Sequence, residues 1–208
     1  MGIKTGISIL SNYCLKRKAL ATFKVPVDAL TWKGIAGEQV ATKIIETYHF
    51  AKQDKFRAVT HNKGIMNGVD AVCLATGQDW RAVESAAHAY AFDEGTGAYR
   101  PLTHYEIVEE NGVKFFKGML ELPMAVGTVG GSVNRNPLYA TCLNLLDKPN
   151  SQQLSQIITA VGLCQNLAAL RALAIEGIQR GHMRLHARAI AIKSEVPAHL
   201  VDDCCKFM

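Results

Sequence analysis

The chain has 208 residues, 49% of them hydrophobic and 20% charged, which is the composition of one ordinary globular domain with enough apolar material for a core. No apolar run approaches the length of a bilayer span and the start lacks the apolar stretch of a signal peptide, so we expect a cytoplasmic protein without a membrane partner. A net charge of +5 without interleaved aromatic residues gives only weak support for a nucleic-acid surface, and a small anionic ligand explains the charge equally well, so we expect no nucleic-acid partner.

Two elements are predicted in the first third of the chain. Residues 36–53 place Val40, Ile44 and Tyr48 on one helical face, which predicts an amphipathic helix. Residues 55–62 are polar and basic, and this composition predicts a loop.

An apolar stretch and a second helix follow. Residues 68–75 fit either a buried strand or the start of a buried helix. Residues 80–92 are rich in alanine and are predicted to be helical, with Asp79 placed to cap the first turn.

The middle of the chain carries a strong hairpin signal. Asn111-Gly112 separates two β-type runs, residues 105–109 and 115–122, and this dipeptide favours a two-residue turn. The glycine-rich residues 126–132 fit a tight turn better than a phosphate loop, because they lack both the P-loop lysine and the GxGxxG spacing.

The longest predicted helix runs from Ser151 to about Gln179 and ends at Gly181. It is apolar most of the way round, so we expect it to be the most buried element, packed by the two helices already described. A short helix is predicted before it, from Pro137, and residues 194–208 are predicted to fray.

Charged and amide side chains are densest between residues 57 and 67. A guanidinium, a hydroxyl and an amide on a glycine-flanked loop can bind an anion, and Arg57, Thr60, Lys63 and Asn67 offer such groups. The same composition also fits a solvated loop. Asp79 follows Lys63 by sixteen residues, and it could pair with that ammonium to stabilise an oxyanion or simply cap the next helix.

Histidine supplies weaker candidates. His182 follows Gly181 at the predicted helix break, where a histidine can be exposed, but it also fits an ordinary surface residue. The pair His182 and His186 lacks the adjacent glutamate of a zinc protease, and no Cys or His pair has a partner pair at ligand spacing. We therefore expect no metal site.

Several strings resemble segments of class II (bacterial-type) 3-hydroxy-3-methylglutaryl-CoA (HMG-CoA) reductases, in the order and spacing of that family. They are residues 57–68 (RAVTHNKGIMNG), 75–84 (ATGQDWRAVE), 121–131 (ELPMAVGTVGG), 160–173 (AVGLCQNLAALRAL) and 176–183 (EGIQRGHM). The resemblance runs from about residue 7 to residue 191 and is to the C-terminal portion of the family's chain.

The resemblance implies three catalytic residues. Lys63 matches the lysine that stabilises the substrate oxyanion, Asp79 the aspartate beside it, and His182 the flap histidine that protonates the departing CoA thiolate. A thioester carbonyl that accepts hydride develops negative charge and needs a fixed cation, and a thiolate leaves more easily beside an acid.

The resemblance also implies binding residues. Arg57, Thr60 and Asn67 match residues that hold the hydroxymethylglutaryl group, and Asn12 matches a residue near the nicotinamide of the cofactor. Because the matched segments flank a short buried element, we expect the lysine and the aspartate to converge with Arg57 and Asn67 at one surface cleft.

An α+β fold is implied: a helical large domain around a buried central helix with a small β-hairpin, plus remnants of the cofactor-binding domain and of the C-terminal flap. We expect residues 1–30 to be a remnant of the small nicotinamide-binding domain, 31–180 the large substrate-binding catalytic domain and 181–208 a truncated flap. Two family segments have no counterpart in the sequence: the glutamate run (ENVIG or similar) that donates a proton to the carbonyl oxygen, and the nicotinamide run DAMGAN.

These features predict an NADH- or NADPH-dependent oxidoreductase that converts HMG-CoA to mevalonate and coenzyme A, or the reverse, as a homodimer or higher homo-oligomer. Because two family segments are missing, we expect this chain alone to fall far short of a family-like rate. The alternative is a non-catalytic remnant or oligomerisation module of a truncated or split reductase gene. From the residues alone, a lyase that forms a Schiff base at Lys63 is a third hypothesis.

Overall fold

The computed structural model describes residues 6–131, 133 and 135–207, and within these ranges it describes the backbone alone at 176, 178–185, 206 and 207. The described chain mixes helices with small antiparallel sheets, which confirms the predicted α+β class. The helices are α1 (Gly37–Gln53), α2 (Lys55–Ala75), α3 (Trp80–Ala91), α4 (Pro137–Leu145), α5 (Ser151–Arg171), α6 (Gly177–Lys193) and α7 (Val201–Phe207). The strands are β1 (Lys18–Pro26), β2 (Phe92–Asp93), β3 (Ala98–Tyr99), β4 (Thr103–Glu110) and β5 (Val113–Pro123).

The larger sheet is antiparallel and has the strand order β1–β5–β4. Its β4–β5 connection is the predicted hairpin: Asn111 and Gly112 have φ values of 52° and 74°, and this left-handed pair matches the twist of the flanking strands. β1 pairs with β5 along all nine of its residues. β2 and β3 form a second, two-stranded sheet.

The core is built where α5 packs on both α2 and the larger sheet. Two glycines allow the close approach of the helices. A Cβ added at Gly68 on α2 would lie 2.9 Å from the Cβ of Gln165, and one added at Gly162 on α5 would lie 2.9 Å from Val69 and 3.2 Å from Leu120. Backbone and side chain therefore interlock, and the orientation of α2 is fixed against α5.

The loop predicted at residues 55–62 is wrong, because these residues form the first turns of α2. The Asp54 carboxylate accepts a hydrogen bond from the Phe56 N–H (3.0 Å) and so caps the helix at its start. The same helix continues through residues 68–75, so the open choice between strand and helix is decided as helix. The helical period was hidden because its buried stripe includes polar His61 and Asn62.

The long helix predicted from Ser151 is present, but it ends a few residues earlier than expected. α5 ends at Arg171, a π-helical segment covers Ala172–Glu176, and the backbone leaves the helical conformation at Gly177, where φ is 70°. Glycine adopts this left-handed conformation at little cost, so the break falls there. α6 runs without interruption through position 181, where the break was predicted.

The surroundings of α5 differ in part from the prediction. α1 packs on α5 as expected, whereas α3 packs chiefly on α2 and β5. Ile158 and Leu170 of α5 are buried, and Ile157, Val161 and Leu167 are half-buried. α2 and α5 each bury eight residues, so α5 is not the most buried element by itself.

The prediction that residues 194–208 fray is wrong for most of this segment. Residues predicted to fray instead form α7, whose Val201 is buried and whose Asp202 pairs with Arg188 of α6.

By length and composition alone, one helical stretch of the described chain, Ser151–Ile175, could cross a membrane, although no unbroken apolar run marks it in the sequence. The core helix of a soluble protein passes the same test, and this stretch packs on α2 and the sheet.

Candidate active site

The outer face of α2 carries three of the predicted site residues. Thr60, Lys63 and Asn67 are spaced by three and four residues, so they share one side of the helix, and all three are exposed. The Thr60 hydroxyl donates a hydrogen bond back to the carbonyl oxygen of Phe56 (3.2 Å). Lys63 forms no ion pair with any side chain that the structure describes, so its ammonium is available to an anion.

Arg57 lies at the edge of this face, one turn before Thr60. It is half-buried, and burial lowers the pKa of its guanidinium. After burial, its positive charge is the second cause that lowers the pKa of buried His61. Arg57 therefore acts electrostatically on the core as well as lying beside the exposed face of α2.

Asp79 lies away from Lys63 within one chain. It caps α3, accepting a hydrogen bond from the Ala82 N–H (3.2 Å), and Arg81 lies 3.8 Å from its carboxylate. Lys63 is twelve residues before the end of α2, which separates the lysine from the α2–α3 turn by about 18 Å along the helix. The helix-cap interpretation of Asp79 is thus confirmed, and no ion pair joins Asp79 to Lys63 within the described chain. The expected convergence of the four residues at one cleft stays a prediction.

The other two predicted site residues are placed less fully. Asn12 is exposed in the segment before β1, and its carbonyl oxygen accepts a hydrogen bond from the Cys14 N–H (2.8 Å). The side chain of His182 lies outside the described residues, and its backbone belongs to α6. Their roles, like the predicted domain boundaries, stay predictions.

A buried polar network lies directly beneath the outer face of α2. His61 Nε2 is 2.6 Å from the Thr103 hydroxyl, and the hydroxyls of Thr103 (3.3 Å) and Tyr105 (2.9 Å) both donate to Asn166 Oδ1. The Asn166 amide in turn donates to the His61 carbonyl oxygen (3.4 Å). All four residues are buried, so the network ties α2 to β4 and to α5.

His61 and Asn62 both face this interior rather than solvent. Burial and the charge of Arg57 lower the pKa of His61 to about 4, and its Nδ1 is buried without a hydrogen-bond partner. The amide of Asn62 donates to the Arg100 carbonyl oxygen (2.9 Å) and accepts from the Leu102 N–H (2.9 Å). Neither role was predicted from the sequence. Their spacing with Ile65 and Val69 is the signal that a helical interpretation would have used.

A pair of carboxyl groups joins α2 to α3 farther along. Burial, followed by a hydrogen bond with Glu84, raises the pKa of the Asp70 carboxyl to about 7. Burial, followed by the charge of Asp70, raises the pKa of the Cys73 thiol to about 12. The pair of Asp70 and Glu84 was not predicted from the sequence, because the two residues are far apart in the chain.

A cavity of about 420 Å³ lies elsewhere, between α1, α3 and the sheet, and none of the predicted site residues lines it. Its wall includes Tyr90, over whose ring Arg100 stands at 5.4 Å, and Glu121, which pairs with Lys18 at 2.6 Å. No group of three or more His, Cys, Asp or Glu side chains that could hold a metal ion is found in the part of the chain that the structure describes.

Comparisons with known proteins agree with this architecture. The model of the hydroxymethylglutaryl-coenzyme A reductase family matches residues 1–187. The chain belongs to the hydroxymethylglutaryl-coenzyme A reductase family. It is 44% identical to the 3-hydroxy-3-methylglutaryl-coenzyme A reductase of Archaeoglobus fulgidus over 207 residues, which is 100% of this chain and 45% of that protein. A probable reductase of Borreliella burgdorferi is 36% identical over 189 residues, covering 91% of this chain and 42% of that one.

Solved structures give the same result. The 3-hydroxy-3-methylglutaryl-coenzyme A reductase of Streptococcus pneumoniae superposes with a TM-score of 0.75 at 40% identity, covering 94% of this chain and 46% of that one. The class II reductase of the same organism bound to NADPH in open conformations gives a TM-score of 0.74 at 39% identity. The chain thus spans somewhat less than half the length of the relatives that it matches.

Proposed function

We propose that this chain supplies the lysine-bearing part of an HMG-CoA reductase active site, which reduces HMG-CoA to mevalonate and coenzyme A with NADH or NADPH, or catalyses the reverse. The observation that supports this most directly is the outer face of α2. There Lys63 stands exposed between Thr60 and Asn67, without an ion pair to any described side chain.

The chemistry of this face suits hydride addition to a thioester. As the carbonyl accepts hydride, negative charge develops on its oxygen, and the Lys63 ammonium stabilises that oxygen more in the transition state than in the ground state. Thr60 and Asn67 can hydrogen-bond to the hydroxymethylglutaryl group, and the Arg57 guanidinium can pair with its carboxylate. We assign protonation of the departing CoA thiolate to His182.

The hydride is supplied by the reduced nicotinamide when it is bound. The described residues do not form a dinucleotide pocket by themselves, since Asn12 is exposed and the strand that follows it is committed to the sheet. We assign the rest of the nicotinamide site to the part of the family's length that this chain does not span. Six free cysteines suit a reducing compartment, which supports a cytoplasmic location.

In this proposal a second copy of the chain completes the active site, because it brings Asp79 to Lys63. Phe56 and Leu74 are 76% and 55% exposed and lie on the same side of α2 as Lys63. An antiparallel contact of two α2 helices that cross near residue 71 would cover these apolar side chains. It would also bring Lys63 of one copy to the α2–α3 turn of the other, where Asp79 lies.

An assay of nicotinamide oxidation tests the proposal. The chain alone should stay near background, because losing a general acid costs on the order of a hundred- to ten-thousand-fold. Adding, in trans, the segment of the Archaeoglobus fulgidus reductase that precedes the matched region should raise the rate. Lys63→Ala should then lower it by at least about a hundredfold, whereas Lys55→Ala, on the same helix, should not.

Two results would contradict the proposal. An equal rate for the Lys63→Ala mixture and the unaltered one would show that Lys63 does not act on the substrate. A mixture that assembles but shows no turnover or HMG-CoA binding would favour the alternative, a non-catalytic oligomerisation module.

A further inference from the structure

The cavity between α1, α3 and the larger sheet has its floor on the outer face of that sheet. Leu20 lies opposite Glu121 in the β1–β5 pairing, and Met119 lies opposite His104 in the β4–β5 pairing. Cross-strand partners project from the same face of a sheet, and all four residues line the cavity. Leu20 and Met119 are 51% and 41% exposed, so the floor offers apolar surface to a ligand.

Two aromatic residues form walls of the cavity, and hydrogen bonds fix both of them to the floor. The hydroxyl of Tyr48 on α1 lies 3.0 Å from His104 Nδ1, and the hydroxyl of Tyr90 on α3 donates to the Glu121 carboxylate. The volume of about 420 Å³ is within the range of small-molecule sites, which combine apolar walls with a few polar groups.

Residues 100–103 also line the cavity, and α2 holds their backbone. The Asn62 amide donates to the Arg100 carbonyl oxygen (2.9 Å) and accepts from the Leu102 N–H (2.9 Å). This side of the cavity is therefore fixed before a ligand arrives, which lowers the entropy cost of binding.

Positive charge exceeds negative charge around this cavity. Lys52 and Arg100 line it and are exposed, and neither forms an ion pair with a side chain that the structure describes. The Arg100 guanidinium stands over the Tyr90 ring at 5.4 Å. Among the described lining residues Glu121 is the one carboxylate, and it is already paired with Lys18 at 2.6 Å. Two cations without a described anionic partner thus border the same space.

We propose that this cavity binds a small phosphate monoester with an apolar body, at a site separate from the substrate site proposed on α2. The arginine fork can hold two phosphate oxygens while the Lys52 ammonium supplies the second positive charge. The body of the ligand covers Leu20 and Met119 and removes their apolar surface from water. A carboxylate would balance only one of the two cations, and an uncharged ligand neither.

Isothermal titration calorimetry of the full chain at pH 8 and low salt tests the site, with phenyl phosphate as the probe. One phenyl phosphate should bind per chain. Inorganic phosphate, which lacks the apolar body, should bind about tenfold more weakly. Benzoate, with one charge fewer, should also bind about tenfold more weakly, and benzyl alcohol should show no binding.

Three variants identify the residues that bind the probe. Arg100→Ala and Lys52→Ala should each weaken phenyl phosphate binding about tenfold, the factor expected for one lost hydrogen bond of a charged group. Lys43→Ala removes the same charge from an exposed position of α1 that does not line the cavity, so it should leave the affinity unchanged.

Three results would overturn the proposal. The absence of saturable phenyl phosphate binding would show that the cavity is not a site for such ligands. Equal effects of Lys43→Ala and Lys52→Ala would show that only the overall charge of the chain attracts the probe. Tighter binding of benzoate than of phenyl phosphate would contradict the assignment to a phosphate monoester.

Discussion

Asp70 is a residue whose protonation should be visible in the stability of the chain. The pKa of Asp70 is raised to about 7 from an ordinary value of 3.8, so between these pH values the folded chain binds more protons than the unfolded one. The contribution of Asp70 to the free energy of unfolding should therefore fall as the pH rises from about 4 to about 7 and level off above. Buried His61, whose pKa is lowered to about 4, contributes with the opposite sign below about pH 6.5, so the comparison with an Asp70 variant isolates the effect of Asp70. Asp70→Asn keeps a hydrogen bond to Glu84 without the charge, so at pH 8 it should be more stable than the unaltered chain by about 1 kcal/mol, a value reduced for partial exposure.

Urea unfolding at pH 5 and at pH 8 measures this effect. Glu46→Gln, which removes an exposed carboxylate on α1, serves as the control and should leave the pH dependence unchanged. If Asp70→Asn showed the same pH dependence as the unaltered chain, Asp70 would not be the titrating group.

At the scale of the element, two glycines on neighbouring helices should respond to alanine in opposite directions. A methyl group at Gly162 would come within 2.9 Å of Val69 and 3.2 Å of Ile65 in the contact of α5 with α2. Overpacking of this kind costs about 1–3 kcal/mol, so Gly162→Ala should lower the melting temperature. Gly64 on α2 has nothing within 4 Å of such a methyl group, and Gly64→Ala should be stabilising by about 0.5–1 kcal/mol, because alanine favours the helix.

Thermal unfolding followed by circular dichroism compares the two variants directly. Gly64→Ala also controls for the general effect of alanine in a helix. Two variants with equal melting temperatures would mean that α5 and α2 do not approach as closely as the structure indicates.

Elements with a local signal could be predicted from the sequence, and those decided by tertiary packing could not. The Asn111-Gly112 turn and the Asp79 cap are fixed by a few adjacent residues, and both are confirmed. α2 was missed because His61 and Asn62 look like loop residues until their partners on β4 and α5 are known. The break before α6 was placed four residues late, because Gly177 and Gly181 are equivalent by composition.

The same distinction applies to the candidate site. The i, i+3 and i+7 spacing of Thr60, Lys63 and Asn67 places them on one face as soon as the helix is known. The expected meeting of Lys63 with Asp79 could not be checked by spacing, because it depends on the length of α2. The buried network was not predicted, since nothing local relates Asn166 to His61.

For the whole molecule, the exposed apolar side chains on the outer face of α2 predict self-association. Leu74 is 55% exposed beside the proposed crossing point of two α2 helices. Leu74→Glu should place like charges within that contact and shift the chain from dimer to monomer in sedimentation velocity. Val113→Glu alters a residue of similar exposure, 47%, at the tip of the hairpin and should leave the dimer intact.

If Val113→Glu made the chain monomeric and Leu74→Glu did not, the dimer interface would lie at the hairpin instead of at α2. A chain that is monomeric at all concentrations would require Lys63 and Asp79 to come together by some means other than a second copy.

The hairpin turn also sets a chemical lifetime for the protein. Asn111 is exposed and followed by glycine, the neighbour that least hinders attack of the backbone nitrogen on the asparagine side-chain carbonyl. The succinimide that results opens to aspartate or isoaspartate, and isoaspartate inserts an extra methylene group into the main chain. In a two-residue turn this extra atom has no room, and β5 carries Phe116, Leu120 and Leu122 into the core directly after it. Ageing of the purified chain should therefore begin at this turn and progress to the sheet.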